Sequence, residues 1–73
     1  MAPTLAELMA RARRKQLLTQ EDAAEASGIP VSSWKRYEAG RGVPAAYNAR
    51  TLAAWLQVTP EQIMMAINGG DEP

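Results

Sequence analysis

Three threonines set the punctuation of this chain. Thr4-Leu5-Ala6-Glu7 has the S/T-x-x-E form of a capping box, in which the threonine hydroxyl and the later acid satisfy each other's backbone N–H groups. Thr19 stands in the same relation to Gln20, Glu21 and Asp22, and acids in a first turn suit the helix dipole. Thr59-Pro60-Glu61-Gln62 is a further cap, with proline at the first helical position. Stops lie between these starts. Gly28 can take the left-handed conformation that ends a helix, Gly40 closes a second run, and Asn68-Gly69-Gly70 closes the last. The spacing predicts five short helices, over about residues 4–15, 20–27, 31–38, 45–56 and 60–68, with no strand, no internal repeat and no low-complexity tract. The expected class is all-α: one compact five-helix bundle spanning 1–73, ordered over about 4–68, with a tail at 69–73.

Apolar residues recur at helical spacing inside each run. Leu5, Leu8, Met9 and Ala12 mark the first helix, Ala46, Ala49, Leu52, Ala53 and Leu56 the fourth, and Ile63, Met64 and Ile67 the fifth. The third helix is short but two-sided. At about 100° per residue, Trp34, Tyr37 and Glu38 share one face, and Ser32 and Arg36 project nearly opposite, flanked by Ser33 and Lys35. The aromatics read as core anchors. The small and cationic residues face outward, where short serines allow close approach to another surface.

Composition removes several classes of function. The 73 residues contain no cysteine and no histidine, so disulfides, thiolate metal sites and imidazole bases are out of reach. No serine has an activating partner, and the acids show no metal-loop spacing. The chain is therefore read as not an enzyme, with no cofactor, no metal and no small-molecule ligand expected. No apolar run approaches the ~20 residues of a membrane span, and the N-terminus lacks a signal-peptide pattern. A cytoplasmic protein without membrane contact is expected.

Charge is segregated although the net is zero. Residues 1–50 hold all eight Lys and Arg against five acids, a balance of +3, and residues 51–73 hold three acids and no cation. A basic face for a polyanion and a salt-bridged, solvated surface both fit this pattern.

Gln20 to Tyr37 has the spacing of a helix-turn-helix. Ala24 is small where two helices cross, Gly28 follows four residues later as the turn, and Ile29, Trp34 and Tyr37 fall at seating positions. The segment "LTQEDAAEASGIPVSSWKRYEAG" resembles the lambda-repressor-like and Cro-like helix-turn-helix family, and "PAAYNARTLAAWLQVTPEQI" resembles that family's fourth and fifth helices. The resemblance implies a DNA-binding protein with its second motif helix in the major groove of double-stranded DNA. It implies base contacts from Val31, Ser32 and Arg36, and Lys35, at a more variable outward position, is read as a fourth base contact. It places Gln20 on a phosphate, where it also braces the recognition helix, and Ser33 and Asn48 on the backbone. It makes Glu38 structural. Arg13, Arg14 and Arg41 are read as further phosphate contacts, with a helix-terminal charge cluster or plain solvation as the alternative. Ala23 and Ser27 are smaller than the family pattern, Trp34 is larger, and Pro30 replaces the usual hydroxyl cap. Small residues on helix two then make room for a large one on helix three, a volume-conserving exchange.

The implied function is a sequence-specific transcriptional regulator, acting as a homodimer on a palindromic operator, similar to Cro-like phage repressors or controller proteins of restriction–modification systems. It would be associated with the nucleoid of a bacterium or of a phage host. An antitoxin that represses its own gene is the neighbouring alternative. A protein-binding module that keeps the fold without the DNA surface is the alternative from another class. The dimer interface is expected on helix five at Met65, with Ile63, Met64 and Ile67 shared between core and interface.

Overall fold

The computed structural model describes residues 3–67. It contains five helices: α1 (Leu5–Lys15), α2 (Gln20–Ser27), α3 (Val31–Glu38), α4 (Ala46–Leu56) and α5 (Pro60–Ile67), with no strand among the described residues. The expected all-α bundle is the observed one, and each helix begins and ends within a residue of its predicted bounds. The expected stop at Asn68–Gly70 and the tail lie outside the described residues.

The threonine caps act as the sequence requires. Thr4 Oγ1 accepts from the Glu7 N–H at 3.2 Å while Glu7 Oε1 accepts from the Thr4 N–H at 2.9 Å. Thr19 and Asp22 form the same reciprocal pair at 3.0 and 3.2 Å, as do Thr59 and Gln62 at 3.1 and 2.8 Å. Pro30 and Ala45, which precede α3 and α4, provide no such side-chain bond.

Helices α1 to α4 all end in one way. A residue in the left-handed region follows the last turn: Leu17 (φ 59°), Gly28 (83°), Gly40 (79°) and Gln57 (62°). The next residue's N–H then reaches back to the carbonyl five positions earlier: Leu18 to Arg13, Ile29 to Ala24, Arg41 to Arg36 and Val58 to Ala53, at 2.9–3.1 Å. This bond satisfies a carbonyl that the helix would otherwise leave unpaired. Glycine takes the left-handed conformation without Cβ strain. Leu17 and Gln57 carry that strain, and neither residue type marks a helix end in the sequence.

The core gathers from all five helices. Met9, Trp34, Leu52 and Ile63 are fully buried, and Leu5, Ala23, Ala24, Ile29, Tyr37, Ala49, Ala53 and Ala66 complete the cluster. Helices α1 and α2 both pack on α3, and α4 packs on α5. Ala23 and Trp34 both lie wholly inside this core, which fits the size exchange between α2 and α3. Ser27 is only half-buried, its Oγ donating to the Ala24 carbonyl at 3.2 Å. Trp55 is half-buried too, and meets Trp34 edge to face, with ring centroids 5.3 Å apart and planes at 89°. Such aromatic pairs add about 0.5–1.5 kcal/mol beyond area burial.

Helix α5 departs from the expectation in detail. Ile63 is entirely buried, so it belongs to the core and has no surface to share with a partner. Met64 and Met65 are 57% and 59% exposed, and Ile67 is half-buried against the core. Ile63 and Ala66 already fill the inward stripe of this short helix, which turns both methionines toward solvent.

Candidate nucleic-acid interface

Helix α3 has a fixed side and an open side. On the fixed side Trp34 and Tyr37 are buried. On the open side Val31, Ser32, Lys35 and Arg36 are all exposed, and Ser33 is half-buried at the helix start. The four residues expected to read bases thus stand together on one surface, carried by an eight-residue helix whose opposite face is anchored.

The anchor is a single carboxylate. Glu38 closes α3 and accepts from three residues on three helices. Arg13 of α1 donates from Nε to both oxygens at 3.1 Å and from Nη2 to Oε2 at 2.6 Å. Gln20 of α2 donates through Nε2 to Oε1 at 3.1 Å, and Trp34 of α3 through Nε1 to the same oxygen at 2.7 Å. The remaining Arg13 nitrogen, Nη1, donates to the Leu18 carbonyl at 3.1 Å, which ties the α1–α2 link to the same group. The side chains of Arg13 and Glu38 are only 16% and 6% exposed. Burial by itself pushes the Glu38 carboxyl upward. The hydrogen bonds from Arg13, Gln20 and Trp34, with the Arg13 charge, outweigh it and hold the group below its ordinary value. The hydrogen bond to Glu38 raises Arg13 in turn.

Two expected phosphate ligands are therefore placed differently. Arg13 has its guanidinium occupied inside the molecule rather than presented on the surface, because Glu38 would otherwise be a buried charge without a partner. Asn48 is 6% exposed, and its Nδ2 donates to the Tyr37 hydroxyl at 3.1 Å. Burying a phenol and an amide is tolerable only when each satisfies the other, so Asn48 holds Tyr37 instead of facing outward. Gln20 is half-buried and braces α3 through Glu38, the structural half of its expected role. Arg14 and Arg41 are exposed, and Ser33 keeps part of its surface.

The open face has its own ion pair. Lys35 Nζ lies 3.1 Å from Glu21 Oε2, with both side chains more than half exposed. The backbone N–H of Glu21 and then the Lys35 ammonium hold that carboxylate below its ordinary value. From the sequence Glu21 is a first-turn acid of α2 and nothing more. Its link to α3 spans two helices and leaves no local sign in the sequence. The bond from Trp34 to Glu38 could have been read, since residues four apart on a helix are neighbours. Val43 and Tyr47, 65% and 67% exposed beside α3's exit loop and in the first turn of α4, carry no pattern that would have singled them out.

A family model described as a helix-turn-helix domain matches residues 4–63. No curated protein and no solved structure gives a significant match. The matched span begins at the Thr4 cap and ends inside α5, so it includes both the anchor and the open face of α3.

Proposed function

The chain belongs to the helix-turn-helix domain family, and from that membership we propose a sequence-specific transcriptional regulator that lays α3 in the major groove of double-stranded DNA. The observation that carries this reading is the exposed set of Val31, Ser32, Lys35 and Arg36 on a helix pinned from behind by Trp34, Tyr37 and Glu38. Arg36 is the chief base reader, since arginine pairs with guanine O6 and N7 through two parallel bonds. Ser32 contacts a base edge without fixing which base, and Val31 offers an apolar contact. Gln20, Ser33, Arg14 and Arg41 serve as phosphate contacts, which position the protein without reading sequence. Arg13 and Asn48 support the reading helix from inside.

The regulator is of the Cro-like repressor type and works as a homodimer on a palindromic operator. One helix-turn-helix reads few base pairs, and two-fold partners place their reading helices about 34 Å apart. The exposed pair Met64–Met65 on α5 supports a contact there, where polarizable thioethers can pack against a second copy. Occlusion of a promoter is the proposed mechanism.

Mobility-shift titration on mixed-sequence duplex DNA tests the reading. A retarded complex at low salt that weakens steeply as salt rises is the expected result, because phosphate contacts release counterions. Absence of any complex at low salt would overturn it in favour of a protein-binding module.

A further inference from the structure

Arg36 does not project straight from α3. Its Cζ lies over the Tyr37 ring, 5.6 Å from the centroid. Successive residues on a helix point about 100° apart, so Arg36 reaches that ring only by lying sideways along the helix surface. The ring cannot drift, because Tyr37 is buried and its hydroxyl is held by buried Asn48 at 3.1 Å. Gly42 of the α3–α4 loop lies against the same side chain. A Cβ on Gly42 would stand 2.9 Å from Arg36 Nε, 3.5 Å from Cδ and 3.7 Å from Cγ. The arginine stem thus lies in the space that a side chain at position 42 would take. The loop is also tied to Arg36 by its backbone, since the Arg41 N–H donates to the Arg36 carbonyl at 2.9 Å.

We infer that Gly42 is a specificity-determining position: by having no side chain it leaves a notch that, with the Tyr37 ring, sets the direction of the Arg36 guanidinium before DNA arrives. This rests on the reading of Arg36 as a base contact. A bidentate arginine must present its planar fork at one angle, and a fork already oriented loses less freedom on binding than a mobile one. The cation over the ring face adds attraction to the same pose. Gly42 acts through Arg36 and touches no base, so it is a positioning residue. Nothing in the residue type distinguishes it from a glycine kept for its φ of +77°.

The test separates the notch from the backbone. Gly42→Asn keeps a residue that tolerates the left-handed region, yet adds the Cβ. Proton NMR of the free protein should show the Arg36 side-chain resonances shifted upfield by the Tyr37 ring in wild type and relaxed toward ordinary values in Gly42→Asn. Competition binding across single-base variants of a selected duplex should show Gly42→Asn losing discrimination at the base pair where Arg36→Ala loses it. The expected loss is about fivefold or more, the lower end of what a bidentate contact is worth. Affinity for random DNA should hold, and Gly42→Asn should add nothing in the Arg36→Ala background. A further loss in that background would show that position 42 acts through the backbone, which overturns the inference. So would unshifted Arg36 protons in wild type, or full discrimination in Gly42→Asn. Shifted protons together with an Arg36→Ala variant that loses no base preference would instead overturn the base-reading role, and with it any part for Gly42 in specificity.

Discussion

Two acids reach toward α3 in opposite ways. Glu38 sits at its end, enclosed, and gathers donors from α1, α2 and α3 itself. Glu21 sits on α2 at the solvent edge and, among the described residues, pairs with Lys35 alone. Both are ion pairs, and their distances differ by only half an ångström. Their surroundings decide what each can do. A paired charge that is largely buried cannot lose its partner cheaply, whereas an exposed pair exchanges its partner for water at almost no cost. The first pair holds α3 in place. The second offsets the charge of an exposed lysine on the open face of that helix, the face proposed to meet DNA.

The largest break in this comparison comes at Trp34, which fills the core and donates to Glu38. Trp34→Ala should cost about 3–5 kcal/mol, the range for a large buried aromatic. That is a large share of a small domain's stability. Chemical denaturation reads it directly, and an unchanged midpoint would contradict the packing of α3 described above.

Arg13→Ala comes next. It leaves Glu38 without its cation in a site that is mostly closed, and should cost about 2–3 kcal/mol, somewhat under the ~3–5 of a fully buried pair. The same group fixes an acid dependence. Glu38 titrates lower in the folded protein than in the unfolded chain, so its contribution is present above the ordinary glutamate range and is lost as pH falls through the lowered folded value. Glu38→Gln should therefore flatten the stability-against-pH curve on the acid side. Equal slopes in the two proteins would assign the acid sensitivity elsewhere.

The smallest expected effect on stability is the most informative for function. Glu21→Gln should leave the denaturation midpoint where it is, while freeing Lys35 to meet phosphate and strengthening binding to random DNA. Lys35→Ala should abolish that gain. If Glu21→Gln strengthens binding equally in the Lys35→Ala background, Glu21 acts by direct repulsion of the polyanion and not through the lysine.

What the sequence revealed follows the range of each interaction. The threonine boxes and the glycine ends act over three to five residues, so the starts of α1, α2 and α5 and the ends of α2 and α3 could be read from Thr4, Thr19, Thr59, Gly28 and Gly40. Leu17 and Gln57 end helices without any residue-type signal, and the residue after each, Leu18 and Val58, packs on the core. The two faces of α3 were legible from helical period. Arg13 was not, since its partner lies 25 positions away and a surface cation and a buried one look alike in sequence. The inward bond of Asn48 is hidden in the sequence for a related reason: its buried hydroxyl partner, Tyr37, belongs to another helix.

The division between an inner face that holds α3 and an outer face that reads DNA is tested most directly by one binding comparison. Duplexes enriched by in vitro selection with the wild-type protein supply a preferred site. Wild type and Arg36→Ala are then competed across every single-base variant of that site and against random DNA. The account predicts that Arg36→Ala loses discrimination at one base pair per half-site, by about 1–3 kcal/mol, with little change on random DNA. A uniform loss of affinity on every sequence would contradict it, making Arg36 a phosphate contact and rotating α3 away from the face assigned to the bases.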